Sequence, residues 1–170
     1  MKKIVLTIIT VLAINLSMSA QDRSNIKAGF NAGVPVGDAA DISSFSIGLD
    51  FNYHWGVSEL LDVGIAAGFI NAFGDTNEAS GGGITIQTEF EDFQFLPVAA
   101  SVRIYPTYSF KFGADAGYAV GINAGNEGGL YYRPVIGYNI TGNTELNVSY
   151  IAVSNDGTFS IATVGILFLF

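Results

Sequence analysis

The chain has 170 residues, of which 49% are hydrophobic, and it carries 15 acidic side chains against seven lysines and arginines. So few basic residues exclude a nucleic-acid-binding surface, which needs clustered Lys and Arg to neutralise phosphates. The absence of cysteine excludes disulfides and thiolate metal sites. The 21 glycines, 13 phenylalanines and eight tyrosines favour short apolar strands joined by tight turns.

Residues 1–20 predict a secretory signal peptide, which leaves residues 21–170 as a single domain. Lys2 and Lys3 precede an apolar run that starts at Ile4, and small residues lead to cleavage after Ala20, with Ser19 as the alternative. The run is shorter than the roughly 20 apolar residues of a membrane-spanning helix. Removal of the two lysines changes the formal net charge from −8 to −10.

Eight segments of about ten residues alternate apolar and polar side chains with a period of two, which predicts β-strands. They cover approximately residues 27–36, 44–55, 61–71, 93–105, 110–122, 130–140, 146–152 and 159–170. In the fourth segment the apolar residues change parity at Leu96-Pro97, where we expect a β-bulge. The last segment has apolar residues at every second position up to Phe170, a stripe typical of the final strand of an outer-membrane barrel.

The connections between these segments are alternately short and long. The short ones are 56–59, 106–109 and 141–144, and the long ones are 37–43, 72–92, 123–129 and 154–158. Outer-membrane barrels place short turns in the periplasm and long loops outside the cell. Aromatic residues then gather near the periplasmic edge and predict a girdle at the membrane surface: Tyr53, Trp55, Tyr105, Tyr108, Tyr138 and Phe170.

Alternation alone does not say which face of a barrel is inside, and a soluble lipocalin-like barrel has its apolar face inward. Here the polar face consists mainly of Gly, Ala, Ser and Asn, which are small enough for a narrow lumen and too poor in charge for a soluble exterior. The sequence therefore predicts an all-β fold, an eight-stranded antiparallel up-and-down transmembrane β-barrel. We expect a monomer in the outer membrane with both chain ends in the periplasm.

Residues 96–106 (LPVAASVRIYP) and 112–118 (FGADAGY) resemble the fourth and fifth strands of the small outer-membrane β-barrel domain family of Bacteroidota. The aromatic terminal strand fits as well, and the likeness extends over nearly all of the chain after the signal peptide. This resemblance implies the fold and the location. It implies no activity, because the shared motifs specify only a fold.

His54 is the only histidine, so a Ser-His-Asp hydrolase would have to use it. It lies just above a periplasmic turn, whereas barrel enzymes that act on lipid resemble one another in placing catalytic groups near the outer rim. We interpret His54 as a hydrogen-bonded packing residue, and we expect no enzymatic activity and no cofactor. One histidine without cysteine leaves only carboxylates as strong metal ligands, so no metal centre is expected.

Eight charged side chains share the inward parity: Lys27, Asp50, Asp62, Arg103, Lys111, Asp115, Arg133 and Glu145. Buried charge is costly unless it is paired, so we expect the arginines and Lys111 to bridge the four carboxylates. Side chains can fill the interior of an eight-stranded barrel, which favours a plugged lumen. A polar path for ions remains the alternative.

The long loop 72–92 is acidic through Asp75, Glu78, Glu89, Glu91 and Asp92, and the other long loops add Asp38, Asp41, Glu127 and Asp156. Solvation and charge repulsion are the simpler interpretation. The sharper hypothesis is a rim that binds Mg²⁺ or Ca²⁺ together with lipopolysaccharide phosphates. Residues 84–88 alternate again and predict either a continuation of the barrel wall, which we favour, or a hairpin beyond the membrane.

These features predict a non-enzymatic outer-membrane barrel with a plugged polar lumen and a structural or surface-interaction role through its acidic loops. The expected partners are outer-membrane lipid and lipopolysaccharide, together with the barrel-assembly machinery, which would bind the C-terminal strand. One alternative is a small cation-favouring channel. The other is a lipid-modifying barrel enzyme, which would depend on His54.

Overall fold

The computed structural model describes residues 25–81 and 84–170 and, within these ranges, all side chains except those of 77–81, 84–87 and 89. The predicted signal peptide, residues 1–20, lies outside the described residues. In the described ranges, no helix has both the length and the apolar character needed to cross a membrane.

The described part of the chain contains ten strands and one 3₁₀ helix (Gly37–Asp41). The strands are β1 (Ile26–Val36), β2 (Ser43–Gly56), β3 (Leu61–Gly74), β4 (Thr76–Gly81), β5 (Ile84–Glu89), β6 (Phe93–Ile104), β7 (Phe110–Gly121), β8 (Gly129–Thr141), β9 (Thr144–Ser154) and β10 (Thr158–Leu169). Eight of them close into a barrel in the order β1-β10-β9-β8-β7-β6-β3-β2. Neighbours are antiparallel throughout, so the predicted eight-stranded up-and-down barrel is confirmed.

Strands β4 and β5 form a separate two-stranded sheet within the longest loop. They pair with each other from Thr76 opposite Glu89 to Gly81 opposite Ile84. The favoured interpretation of residues 84–88 as barrel wall is therefore wrong, and the hairpin alternative is correct. The reason is local: β5 pairs with β4, the strand that precedes it in the chain, whereas the wall is already completed by β3 pairing with β6.

The barrel closes between its first and last strands. β1 and β10 pair without interruption from Lys27 opposite Leu169 to Val36 opposite Ser160. At the tight-turn end the amide of Phe170 donates to the carbonyl of Ile26 at 2.9 Å. Closure leaves the barrel sheet without an open edge, as a sheet surrounded by hydrocarbon requires.

The predicted bulge at Leu96-Pro97 is absent. β6 keeps one register against β3, since Ala67 faces Val98 and Ile70 faces Phe95 on either side of the site. The ladder is only interrupted there, because Pro97 has no N–H to donate. The change of apolar parity has a different cause: Phe95 and Pro97 point inward on an unshifted strand.

Candidate functional site

The lumen has two zones that differ in chemistry. The half next to the tight turns, called here the polar zone, holds the charged residues. The half next to the long loops, called here the apolar layer, comprises Ala66, Ile70, Phe95, Ala99, Ala119, Tyr131, Ile151, Val153 and Ile161. All of these side chains are buried, as are the charged side chains of the polar zone.

One ion pair crosses the whole width of the barrel. Arg133 on β8 donates to both carboxylate oxygens of Asp50 on β2, at 2.6 and 3.1 Å. β8 and β2 are four places apart in the ring of eight strands, which makes them diametrically opposite. Asn31 donates to the same carboxylate at 2.9 Å, and the Arg133 Nε donates to Ser149 at 2.8 Å. A bidentate pair held by further hydrogen bonds fixes the distance between opposite walls.

Two further ion pairs lie nearer the tight turns. Arg103 contacts Asp115 on the neighbouring strand at 2.6 and 3.0 Å. Lys111 on β7 pairs with Glu145 on β9 and passes over β8 between them. The crossing is possible because β8 has Gly137 at this point, where a Cβ would lie 2.7 Å from both Glu145 Oε1 and Lys111 Cε.

Lys27 and Tyr105 also meet inside the barrel. The Lys27 ammonium donates to the Tyr105 hydroxyl at 2.9 Å and lies 5.7 Å from the centre of the ring. The assignment of Tyr105 to the aromatic girdle is therefore wrong. Tyr105 has the parity of Arg103, so the strand alternation turns it into the lumen, where it is 8% exposed.

The other proposed girdle residues lie on the outer surface. Trp55, Tyr108, Tyr138 and Phe170 are exposed. Tyr53 is half-buried and packs edge-on against Trp55, with ring centres 4.8 Å apart. An aromatic band thus follows the tight-turn end of the barrel, without Tyr105.

His54 lies at the bottom of the polar zone, where its Nε2 is 2.8 Å from the Ser101 hydroxyl. Asp62, the eighth inward charge, is directly opposite Arg103 in the register of β3 and β6. His54 and Ser101 are 2% and 1% exposed. A Ser-His pair therefore exists, and both of its side chains are buried in the barrel.

The apolar layer was missed by sequence reasoning. The sequence does carry a signal for it, because at the long-loop ends of the strands apolar residues occupy both parities in succession. Examples are Leu130-Tyr131-Tyr132 on β8 and Ile151-Ala152-Val153 on β9. On these strand ends the inward residues Tyr131, Ile151 and Val153 pack against one another inside the barrel, while Leu130 and Tyr132 face outward and are exposed.

Above the apolar layer a cavity of about 420 Å³ opens towards the long loops. We call it the outer-mouth cavity. Its floor is aromatic: the ring of Phe159 lies 5.0 Å from that of Phe93 and 5.7 Å from that of Phe95. Its rim carries the carboxylates of Asp38, Glu127 and Asp156. The three arise from three different loops.

Hydrogen bonds hold the loops that form this cavity in place. The side chain of Asn126 donates to the Gln94 carbonyl at 2.7 Å and accepts from the Gly128 amide at 3.1 Å. Gly125 and Gly128 have φ of +79° and +72°, a backbone region that side chains rarely adopt. Asn123 accepts from the Gln94 amide at 2.9 Å. Loop 122–128 is thus folded against β6.

The carboxylates proposed to bind divalent cations are only partly gathered. Asp92 accepts from Asn71 and from the Gly74 amide, both at 3.1 Å, and Asp75 accepts from the Thr76 amide at 2.8 Å. The side chains of Glu78 and Glu89 lie outside the described residues, and Glu91 is exposed. Among the side chains described, no three His, Cys, Asp or Glu are placed to hold a metal ion. The divalent-cation rim stays a prediction.

Charge is separated along the barrel. Residues 25–170 contain four basic residues, and all four lie buried in the lumen with four carboxylates: Lys27, Arg103, Lys111, Arg133, Asp50, Asp62, Asp115 and Glu145. Of the other acidic residues in that range, Glu59 is in a tight turn and nine are at the long-loop end. The lumen is balanced in charge, while the long-loop end is purely acidic.

No known protein family and no curated protein matches the sequence. Among solved structures, the chain is similar to Ail, the attachment invasion locus protein of Yersinia pestis, with a TM-score of 0.58 and 15% identity over 89% of this chain and 100% of that one. It is similar to the N-terminal β-barrel domain of Pseudomonas aeruginosa OprF, with a TM-score of 0.50 and 14% identity over 88% and 100%. For a de novo designed transmembrane β-barrel the values are 0.52 and 13% over 88% and 98%. At these identities the likeness shows that the chain has the fold of outer-membrane β-barrels.

Proposed function

We propose that this chain is an integral outer-membrane barrel that does not conduct or catalyse, and that acts structurally or through interactions made by its acidic outer end. The observation that carries the proposal is the Asp50–Arg133 pair, which joins opposite walls of the lumen. The apolar layer above this pair adds a second obstruction to water and ions.

The outward-facing side chains support the membrane location. On β2 alone, Phe45, Ile47, Leu49 and Phe51 are 43–56% exposed, and similar residues face outward on all barrel strands. These strands have 11 to 14 residues, enough for the roughly nine to 11 that cross a bilayer at a tilt. An apolar surface around a whole barrel is stable in hydrocarbon and prone to aggregation in water.

Planar-bilayer recording tests the plug directly. The purified barrel should give no stable conductance, while a 16-stranded porin reconstituted at the same protein-to-lipid ratio serves as the positive control. Stable, cation-selective steps from the monomer would overturn the proposal in favour of the channel alternative. The acidic outer end is the feature that favours such a channel, whereas the charge-balanced lumen opposes it.

The enzyme alternative is favoured only by the Ser101–His54 hydrogen bond. If any lipase or esterase activity is found in lipid vesicles, Ser101→Ala and His54→Ala should leave it unchanged. Loss of activity in both variants, with the barrel still folded, would contradict a non-catalytic role.

The partners follow from the same placement. The proposed partners are outer-membrane lipid and lipopolysaccharide, which would surround the outward-facing apolar side chains, and the barrel-assembly machinery, which would recognise β10. We also propose that a signal peptide directs export of the chain to the periplasm. Membership of the small barrel family of Bacteroidota and a divalent-cation rim are part of this proposal. Fractionation of the native cell envelope tests the outer-membrane location. Calorimetry with Mg²⁺ or Ca²⁺ on the barrel in lipopolysaccharide-containing bilayers tests the cation rim.

A further inference from the structure

We propose that the outer-mouth cavity is a binding site for a small amphipathic cation, a molecule with an aromatic or aliphatic body and one ammonium group. The site lies where the three carboxylate-bearing loops meet above the aromatic floor. It is distinct from the ion-paired polar zone, which the apolar layer separates from it.

The size and floor of the cavity suit a small organic molecule. Its volume of about 420 Å³ lies in the range of cavities that hold such ligands, roughly 300 to 1,000 Å³. Phe93 and Phe159 are half-buried rings whose centres lie 5.0 Å apart, and Phe159 also packs on the buried ring of Phe95, 5.7 Å away. An aromatic surface attracts apolar groups and also favours cations, because the face of the ring carries partial negative charge.

The rim selects the sign of the charge. Asp38, Glu127 and Asp156 are all exposed at the opening, and none has a Lys or Arg beside it, because the four basic residues of 25–170 are buried in the lumen. Acidic groups around a cleft with apolar walls raise the local concentration of cations. An anion of the same size meets the same walls and is repelled.

The cavity is preformed and closed below. Asn126 and Asn123 bind the loop 122–128 to β6, so little ordering is needed when a ligand enters. The buried side chains of Ile151, Ile161 and Phe95 fill the lumen directly underneath. The ligand therefore binds at a closed site and does not pass through the barrel.

This inference rests on the proposed function only for the side from which the ligand comes. The chemistry of the cavity holds whichever way the barrel is inserted. Conductance tests the plug, and ligand binding tests the cavity, so the two proposals fail separately.

The test uses the folded barrel in phosphatidylcholine nanodiscs, with empty nanodiscs as the blank. Isothermal titration with benzyltrimethylammonium chloride should show saturable binding that weakens with added salt. Tetramethylammonium, which lacks the apolar body, and benzoate, which has the opposite charge, should each bind at least about tenfold more weakly. Ring resonances of Phe93 and Phe159 should shift on titration with the first compound only.

Variants place the site. The triple variant Asp38→Asn, Glu127→Gln, Asp156→Asn should weaken binding about tenfold or more, because three partly screened charges act together. Asp41→Asn and Glu59→Gln remove one carboxylate each outside the cavity, at the outer end and in a tight turn, and should leave the affinity unchanged. Phe159→Leu keeps an apolar floor, removes the ring and should weaken binding about threefold.

Three results would overturn the inference. They are no saturable binding of benzyltrimethylammonium to wild type, equal binding of benzoate, and unchanged affinity in the triple variant. Folding of every variant is checked by the shift in electrophoretic mobility between heated and unheated barrel, so a loss of binding by an unfolded variant cannot be mistaken for support.

Discussion

The two zones of the lumen fill the same cylinder by opposite means. The polar zone uses ion pairs, such as Asp50 with Arg133, whose geometry specifies which walls face each other. The apolar layer uses close packing of side chains such as Ile151 and Ile161, each 1% exposed. Ion pairs cost desolvation and give directional constraints, whereas packed apolar groups exclude water without such a penalty. Directional ion pairs thus specify which walls of the barrel face each other, whereas the apolar layer contributes close packing.

Breaking one partner of the cross-barrel pair should have the largest effect. Arg133→Ala leaves the Asp50 carboxylate buried without its bidentate partner, which typically costs about 3–5 kcal/mol. Reversible urea unfolding in lipid vesicles, followed by tryptophan fluorescence of Trp55, measures the loss.

The control is the double variant Arg133→Met, Asp50→Leu, which removes both charges and keeps apolar volume. It should be less destabilised than Arg133→Ala alone. If the double variant has the lower free energy of unfolding, the ion pair contributes net stability and does more than keep a single buried charge from being unpaired. The division of roles between the two zones would then be incorrect.

A cavity in the apolar layer should have the next largest effect. Ile151→Ala removes buried methyl groups from a packed site and should cost about 3 kcal/mol. The matched control on the same strand is Val148→Ala, which faces outward at 48% exposure and should cost under about 1 kcal/mol. Equal losses in the two variants would show that the inner layer is not packed.

The same comparison shows what the sequence could reveal. Period-two alternation was sufficient to place Asp50, Arg133 and the other lumen charges on one face, because strand geometry fixes the face of each residue. It could not pair Asp50 with Arg133, since residues 83 apart meet only through the closure of the ring. The position of Tyr105 next to a tight turn predicts the girdle, but its parity is that of Arg103, and parity decides the face. The outer-mouth cavity depends on how three loops fold together, and no short-range pattern encodes that.

A smaller loss of stability is expected from a substitution at Gly137, the β8 residue over which the Lys111–Glu145 pair passes. Gly137→Ala would place a methyl group 2.7 Å from atoms of both partners, so the pair must move, at a cost of about 1–3 kcal/mol. Gly142→Ala is the control, because a Cβ there meets nothing within 4 Å. The urea midpoints of unfolding of the two variants are compared. If the Gly137→Ala barrel is as stable as the Gly142→Ala barrel, a methyl group at residue 137 fits beneath the Lys111–Glu145 pair without displacing it.

The smallest effect should come from removing the Tyr105 hydroxyl, which accepts a hydrogen bond from Lys27. Tyr105→Phe keeps the ring beneath the ammonium and removes only the acceptor at 2.9 Å, so we expect a loss of about 1–2 kcal/mol in unfolding free energy. Tyr108→Phe, on a side chain that is 89% exposed, should change nothing measurable. If both variants match wild type, the Lys27–Tyr105 hydrogen bond adds no net stability. A loss confined to Tyr105→Phe would instead show that Tyr105, which directly follows β6, helps to hold the polar zone together. Its hydroxyl connects the end of β6 to Lys27 on β1, three strands away in the ring.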